Sequence, residues 1–247
     1  MRQNERRSAF VLAAGLGTRL KELTSDKPKA LVELNGHPLL EIVIENLISQ
    51  NFNHIVINIH HFGEQILNYF KNKQYNDVII EISDERESLL DTGGAIIKAL
   101  PYFNNSEAVL IHNVDIISNI DFQHVYDNFI KSDDAAWLLT QNRHNKRKLV
   151  FDNQDNFVGR LNLETNCYDG DTEFNEEFKL LSFSGLHLIK PDYFRHFELK
   201  TCYVFDLYKE IAKNYNVKSM FIQPDFWFDL GTQTQLKEAS EWLLSQK

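Results

Sequence analysis

Gly15-Leu16-Gly17-Thr18-Arg19 places two glycines, a hydroxyl and a guanidinium within five residues, and Lys27-Pro28-Lys29 follows shortly after. Glycines let the backbone turn sharply and approach a ligand with no Cβ in the way. A loop of this kind gathers backbone N–H groups into a concavity that suits phosphate. Thr18 adds a hydroxyl donor and Arg19 a fixed positive fork. Read by itself, the loop is equally a tight strand-to-helix turn with no ligand, and the second cationic cluster favours the phosphate reading. Two carboxylates complete the pattern. Asp115 follows the apolar run Ala108 to Ile111, and Asp229 ends the run Phe226-Trp227-Phe228. Ligands of open α/β sheets bind outside the carboxyl ends of strands, where both residues fall. Either aspartate alone also reads as a cap or turn residue. Together they could share one Mg²⁺, which takes few protein oxygens and completes its shell with water and phosphate. Cations and Mg²⁺ around a polyphosphate are what phosphoryl-type transfer requires.

The elements that must position these groups alternate between strand and helix. Ala9 to Leu12 is apolar on both faces, the pattern of a buried parallel strand. Asn35-Gly36 marks a turn, and Pro38 opens a helix with Leu40, Val43, Ile44, Leu47 and Ile48 on one face. His54–His60 reads as a strand, a helix near Phe62 carries Ile66, Leu67 and Phe70, and Asp77–Ile82 is another strand. This β-α-β-α-β order predicts a parallel sheet with helices on its faces. Asp91-Thr92-Gly93-Gly94 opens a helix through Leu100, and its glycines serve either a close ligand such as a base or a plain loop. Further on, Phe122–Ile130 and Tyr203–Ala212 read as helices. Ala135–Leu139 and Val217–Ile222 read as strands. Lys146-Arg147-Lys148 precedes the apolar Leu149-Val150-Phe151, and Asp152–Asp155 is a hairpin turn. Asn162–Glu177 is polar and acidic, an expected exposed loop. Phe178–Ile189 is a long strand interrupted at Ser184-Gly185. A final amphipathic helix carries Leu236, Ala239 and Leu243.

The 247 residues suit one compact domain over 8–247, with 1–7 as a flexible polar tail. A net charge of -9 argues against a nucleic-acid partner, so an anionic ligand needs a local basic pocket. The two cysteines, Cys167 and Cys202, have no metal-ligand spacing, which fits a reducing, cytoplasmic compartment. Arg6-Arg7 before Ala9–Ala14 superficially resembles a signal peptide, but the apolar run is too short and Arg19 and Lys21 follow closely. No stretch is long and apolar enough to span a membrane.

The chain resembles the sugar-phosphate nucleotidyltransferases, or nucleoside-diphosphate-sugar pyrophosphorylases. The likeness rests on Gly15-Leu16-Gly17-Thr18-Arg19, Lys27-Pro28-Lys29, Pro38-Leu39-Leu40, Thr92-Gly93-Gly94, Asp115, Phe183-Ser184-Gly185 and Trp227-Phe228-Asp229-Leu230-Gly231-Thr232. Length and the run Val56-Ile57-Asn58 look like N-acetylmuramate-1-phosphate uridylyltransferases and their relatives. The resemblance implies an α/β fold with a Rossmann-like mixed, mostly parallel sheet flanked by helices. It implies that a nucleoside triphosphate is held by Gly15, Gly17, Thr18 and Arg19. Lys29 would neutralise charge at the reacting phosphorus, and Ala13, Ala14, Thr92 and Gly93 would approach the base. Asp115 and Asp229 would hold Mg²⁺, and Asn113, Arg147 and Gly185 would face the sugar-1-phosphate. Arg147 reads equally as a solvated member of its basic run.

One departure stands out. The family usually has Gly-Asp at the metal strand end, where this chain has Val114-Asp115. Valine there either narrows the sugar pocket or packs inward beneath it. The chain stops at Lys247, so the β-helix acyltransferase domain of some relatives is expected to be absent. The expected reaction is attack of a sugar-1-phosphate on an NTP, with UTP preferred and cytidylyl or guanylyl transfer as alternatives. A nucleotide-sugar sensor without turnover is a second reading, motivated by Val114. A glycosyltransferase is a third, and Asn113-Val114-Asp115 lacks one carboxylate of the Asp-x-Asp it would normally use.

Overall fold

A computed structural model describes residues 6–71 and 73–246. Residues 1–5 of the expected tail lie outside the described residues. Arg6 stands 3.6 Å from Glu81, and the Arg7 amide donates to Asn53 Oδ1 at 3.0 Å. In chain order the elements are β1 (Ser8–Leu12), the short β2 (Glu33–Leu34) and β3 (His37–Pro38), α1 (Leu39–Ser49), β4 (His54–Ile59), α2 (Gly63–Phe70), β5 (Ile79–Asp84), α3 (Asp91–Ala99), β6 (Val109–Asn113), β7 (Ile116–Ser118) and α4 (Phe122–Phe129). Then come β8 (Ala136–Gln141), β9 (Arg147–Phe151), β10 (Phe157–Asn162), β11 (Cys167–Gly170), β12 (Lys179–Ile189), α5 (Val204–Ala212), β13 (Val217–Phe221), β14 (Trp227–Asp229) and α6 (Gln233–Ser245). The mixed sheet with flanking helices expected from the sequence is present.

The chain divides into two compact units. The first comprises Met1–Leu89, His112–Gln123 and Pro224–Lys247, and the second comprises Leu90–Ile111 and His124–Gln223. In the first unit β4 pairs in parallel with β1 and with β5, from Ser8↔His54 to Leu12↔Asn58 and from His54↔Ile79 to Ile59↔Asp84. Every residue of β4 is buried, the mark of a strand covered on both faces. α1 buries Leu39, Leu40, Val43, Ile44 and Leu47, four of them on the face expected from its spacing. β7 and β14 form a short antiparallel pair with Asp229 opposite Ile116, and the Leu230 amide donates to the Asp115 carbonyl at 2.8 Å.

One apolar cluster ties these pieces together: Leu20, Val32, Leu34, Leu39, Ile117, Leu230 and Ala239. Leu20 adjoins Arg19, Ile117 lies two positions past Asp115, Leu230 adjoins Asp229, and Val32 lies just past Lys29. Each polar candidate is thus anchored by an apolar neighbour in the same core.

In the second unit β12 runs antiparallel to β8 and β9, β13 lies parallel to β8, and β10 is antiparallel to β9 and β11. The register of β12 against β8 shifts between Phe183 and His187, and Gly185 within that interval has φ 82°. This is a bulge that needs a left-handed residue, which accounts for the interruption seen at Ser184-Gly185. The polar stretch Asn162–Glu177 differs from the loop expected of it. It contains β11, which pairs Cys167 with Asn162 and Gly170 with Gly159. The strand rests on backbone bonds at the sheet's edge and buries none of its four residues, so no apolar alternation announces it. Among the described residues no helix is long and apolar enough to cross a membrane.

Leu230→Ala should lower stability by about 2–5 kcal/mol, the usual cost of a Leu-to-Ala cavity in a packed core. Chemical denaturation checks this, with the expected shift in midpoint at an unchanged slope. A midpoint equal to wild type would show that the cluster is not the anchor described.

Candidate active site

The glycine loop leaves β1 through Ala13 and Ala14. Both amides donate to Asn58 Oδ1, at 2.6 and 3.1 Å, and Asn58 Nδ2 donates to Glu85 Oε1 at 2.9 Å. Asn58 and Glu85 follow from the ends of β4 and β5 and are 2% and 1% exposed. One buried asparagine therefore fixes the exit from β1 against β4 and, through Glu85, against the end of β5. Among the described residues the amides of residues 15–18 find no acceptor and remain available as donors. Gly17 has φ 64°, and a Cβ there would stand 3.0 Å from Thr24 Cγ2 and 3.1 Å from Lys29 Cβ. Its glycine is required by the fold. Gly15 is different: its φ is not left-handed and nothing lies within 4 Å of a built Cβ. The chain's own packing gives no reason for glycine at 15.

Past the loop, 3-10 turns broken by a kink at Lys21 (φ 52°) span Thr18–Thr24. They leave Thr18 and Arg19 exposed and sink Leu20. Lys29 is 7% exposed, whereas Lys27 is half-buried. The Lys29 ammonium donates to Asp115 Oδ2. Asp229 lies close by, because β14 runs beside β7, and its Oδ1 accepts the Gly231 amide at 2.9 Å. Arg19 reaches the same place: a Cβ on Gly231 would stand 2.5 Å from Arg19 Nη2 and 2.9 Å from Asp229 Oδ1. Arg19, Lys29, Asp115 and Asp229 are thereby gathered within the first unit.

Burial pushes the Asp229 carboxyl above its ordinary pKa, and the negative charge of Asp115 pushes it further. Lys29, Arg19 and the Gly231 amide pull in the opposite direction. Two carboxylates in mutual repulsion are a donor set that a hard divalent cation would relieve. Among the described residues no group of three or more His, Cys, Asp or Glu could hold a metal. The pair fits an ion such as Mg²⁺, which needs few protein oxygens when phosphate and water supply the rest. Val114 is 4% exposed and its amide donates to the Leu12 carbonyl at 3.2 Å, so it packs inward. His112 beneath it is fully buried and held neutral, its pKa lowered to about 4 by desolvation. Asn113 is half-buried, and its carbonyl meets His112 Nδ1 at 2.8 Å.

The remaining candidates belong to the second unit. Thr92 and Gly93 open α3, and the chain itself uses them. The Val204 amide donates to Thr92 Oγ1 at 3.3 Å, and the Gly93 and Gly94 amides donate to the Cys202 carbonyl at 2.9 and 3.3 Å. A Cβ on Gly93 would stand 2.8 Å from both the carbonyl oxygen and the Sγ of Cys202. A Cβ on Gly94 would collide with the Lys200 carbonyl, so close docking of residues 200–204 accounts for the glycine pair without a ligand. Arg147 lines a cavity of about 660 Å³ together with Lys148, Arg160 and Phe183. Gly185 is buried at the β12 bulge, two residues beyond Phe183. Motif reasoning missed the buried roles of Asn58, Glu85 and Lys148. A polar residue interrupting the apolar run Ile55–Ile59 was the available signal for Asn58.

Free loop amides, an arginine and a buried lysine around two strand-end carboxylates form, on an α/β scaffold, an arrangement chemically complementary to a polyphosphate. The chain belongs to the nucleotidyl transferase family, whose model matches residues 8–149. It is 39% identical over 111 residues to an N-acetylmuramate alpha-1-phosphate uridylyltransferase of Caulobacter vibrioides, covering 44% of this chain and 46% of that protein. It is 30% identical over 224 residues to a D-glycero-alpha-D-manno-heptose 1-phosphate guanylyltransferase of Campylobacter jejuni, covering 90% and 94%. In fold it is similar to HddC from Yersinia pseudotuberculosis complexed with GMP-PN, with TM-score 0.74, 19% identity and coverage of 96% and 99%.

The raised Asp229 pKa sets a sign for stability. The folded state binds the proton more tightly than the unfolded chain, so stability falls as pH rises from the ordinary carboxylate range through the folded value. Asp229→Asn removes that charge and keeps an acceptor for the Gly231 amide. The variant should melt higher than wild type at neutral pH, with the gap closing in acid below about pH 4, the unperturbed Asp range. Thermal melts across pH check this, and a variant that melts lower at neutral pH would refute it.

Proposed function

We propose that the chain transfers a nucleoside monophosphate from an NTP to a sugar-1-phosphate, releasing pyrophosphate and forming a nucleoside-diphosphate sugar. The observation that carries this is the gathering of Arg19, Lys29, Asp115 and Asp229 beside the unpaired amides of residues 15–18. Gly15, with open space where a Cβ would stand, lets the triphosphate approach the backbone. Thr18 and Arg19 are exposed and add a hydroxyl and a positive fork to those amides. The nucleophile is an oxygen of the sugar phosphate, already an anion, so no general base is needed. The protein orients the two phosphates and offsets charge that builds on phosphorus during attack. Lys29 serves this by turning from Asp115 towards the α-phosphate.

Asp115 and Asp229 would hold Mg²⁺, which supplies charge neutralisation and orientation of phosphate oxygens when bound. Ala13 and Ala14 offer the base their carbonyls and small side chains, because Asn58 takes their amides. The assignment of Thr92 and Gly93 to the base rests on the family resemblance. UTP is the preferred nucleotide, supported by the name of the Caulobacter relative. GTP is the second reading, favoured by the fuller coverage of the Campylobacter relative.

A panel of the four NTPs against several sugar-1-phosphates, read by pyrophosphate release, tests the reaction. Release with no pair would overturn it, and tight NTP binding without release would identify a sensor instead. Asp115→Asn should cut turnover at least ~100-fold, as removal of one preorganised electrostatic group does. Activity unchanged across a Mg²⁺ titration would move the metal elsewhere. Lys29→Ala should lower kcat more than it raises KM for NTP, whereas Lys27→Ala should stay near wild type. Near-wild-type kinetics in both would make Lys29 a solvated loop charge, and equal defects in both would move the catalytic cation or discard it.

A further inference from the structure

Gly231 is a glycine that its own backbone does not demand. It is buried between Leu230 and the start of α6, and its φ lies outside the left-handed region, so an alanine could adopt the same conformation. A Cβ there would stand 2.5 Å from Arg19 Nη2, 2.8 Å from Arg19 Cζ and 2.9 Å from Asp229 Oδ1. These three nearest atoms are all side-chain tips. The contrast is with Gly94, where the nearest atom is the Lys200 carbonyl oxygen at 2.4 Å and cannot swing away. At position 231 the space that a side chain would take is used by a guanidinium.

Both backbones that meet here are fixed. Leu20, next to Arg19, is sunk in the apolar cluster with Leu230. The Leu20 amide donates to the Gly17 carbonyl at 2.9 Å, and its carbonyl accepts from Gln233 Nε2 at 3.1 Å. Across from it, the Gly231 amide donates to Asp229 Oδ1 at 2.9 Å, and Thr232 caps α6 by accepting the Gln235 amide at 3.3 Å. All these residues belong to the first unit. Among the described residues the Arg19 guanidinium makes no hydrogen bond or ion pair. It is therefore placed by shape, and its fan of N–H donors stays free for a ligand. A salt bridge to Asp229 would also have placed it, but would have occupied donors that a phosphate needs and oxygens that a cation needs.

We infer that Gly231 is a positioning residue: its missing side chain seats the Arg19 guanidinium beside Asp229, with donors aimed for a phosphate oxygen of the NTP. The inference rests on the reading of the chain as a nucleotidyltransferase and adds the residue through which the corner between β14 and α6 governs the phosphate loop. Calorimetric titration of UTP, GTP and inorganic tripolyphosphate, each with Mg²⁺, into the full chain reads the seat without turnover. The variants are Gly231→Ala, Arg19→Ala and the two combined.

Gly231→Ala should melt no lower than wild type, because only flexible tips must move and alanine suits the backbone. It should weaken polyphosphate binding about 10-fold, the loss of one charge-assisted hydrogen bond. Arg19→Ala should weaken binding at least as much. With Arg19→Ala already in place, Gly231→Ala should change affinity by less than about twofold, since nothing remains in the seat to displace. Wild-type affinity in Gly231→Ala would overturn the inference. So would an equal loss with and without Arg19, which would make Asp229 or a general loosening the cause. Wild type that binds none of the three polyphosphates would overturn it as well. Should Gly231→Ala fail to fold, the double variant decides. Folding restored by Arg19→Ala upholds the seat, and a double variant that also fails removes it. Binding that follows the expected pattern, with no pyrophosphate released from any substrate pair, would instead refute the transfer reading and leave the seat standing.

Discussion

Two like charges are held close together in the first unit, and much of its local architecture follows from that. The β7–β14 pair and the Leu230 amide fix the backbones of Asp115 and Asp229 side by side. Neither residue can retreat, because Ile117 and Leu230 are sunk in one apolar cluster. Repulsion between the carboxylates is offset locally by Lys29 on one and by Arg19 beside the other. Hydrophobic burial is non-directional and cheap to arrange, and here it holds in place an electrostatic arrangement that would otherwise spread apart. Stability has been exchanged for pre-organisation, as is common at functional sites.

The phosphate loop shows a complementary use of polarity. A backbone leaving a buried strand must satisfy its N–H groups or lose free energy for each orphan. Asn58 absorbs the first two, at Ala13 and Ala14, and Glu85 secures Asn58 in turn. The unpaired donors therefore begin at Gly15, where the chain is exposed and water or an anion can meet them. The boundary between structural and functional amides is thus drawn by one side chain.

The sequence disclosed most where a single residue type serves a single physical demand. Periodicity located α1 and the parallel strands, because burial on one face or both leaves an apolar trace. Gly17, Arg19, Lys29, Asp115 and Asp229 were legible as a motif, and the first unit gathers them. Gly185 was visible as a break, and the bulge supplies its reason. β11 was not legible, because an edge strand held by backbone bonds needs no apolar alternation. The Gly93-Gly94 pair was ambiguous for a related reason. The absence of a side chain looks the same in sequence whether the space is filled by a ligand or by the chain's own Lys200 and Cys202. Lys148 was seen only as part of a basic run, since burial of a lysine depends on strands distant in sequence.

The contact between Lys29 and Asp115 has a thermodynamic corollary. Each group occupies the other, so neither is fully available to an external partner. A cation that claimed Asp115 would release the lysine, and a phosphate that drew the lysine away would expose the carboxylate. The two ligands would then share one internal bond as the common toll on entry, and whichever arrived first would spare the second. Linkage makes that help reciprocal, so each would tighten the other by the same factor. Cooperative loading would arise in this way within a single side-chain pair, with no change of quaternary state.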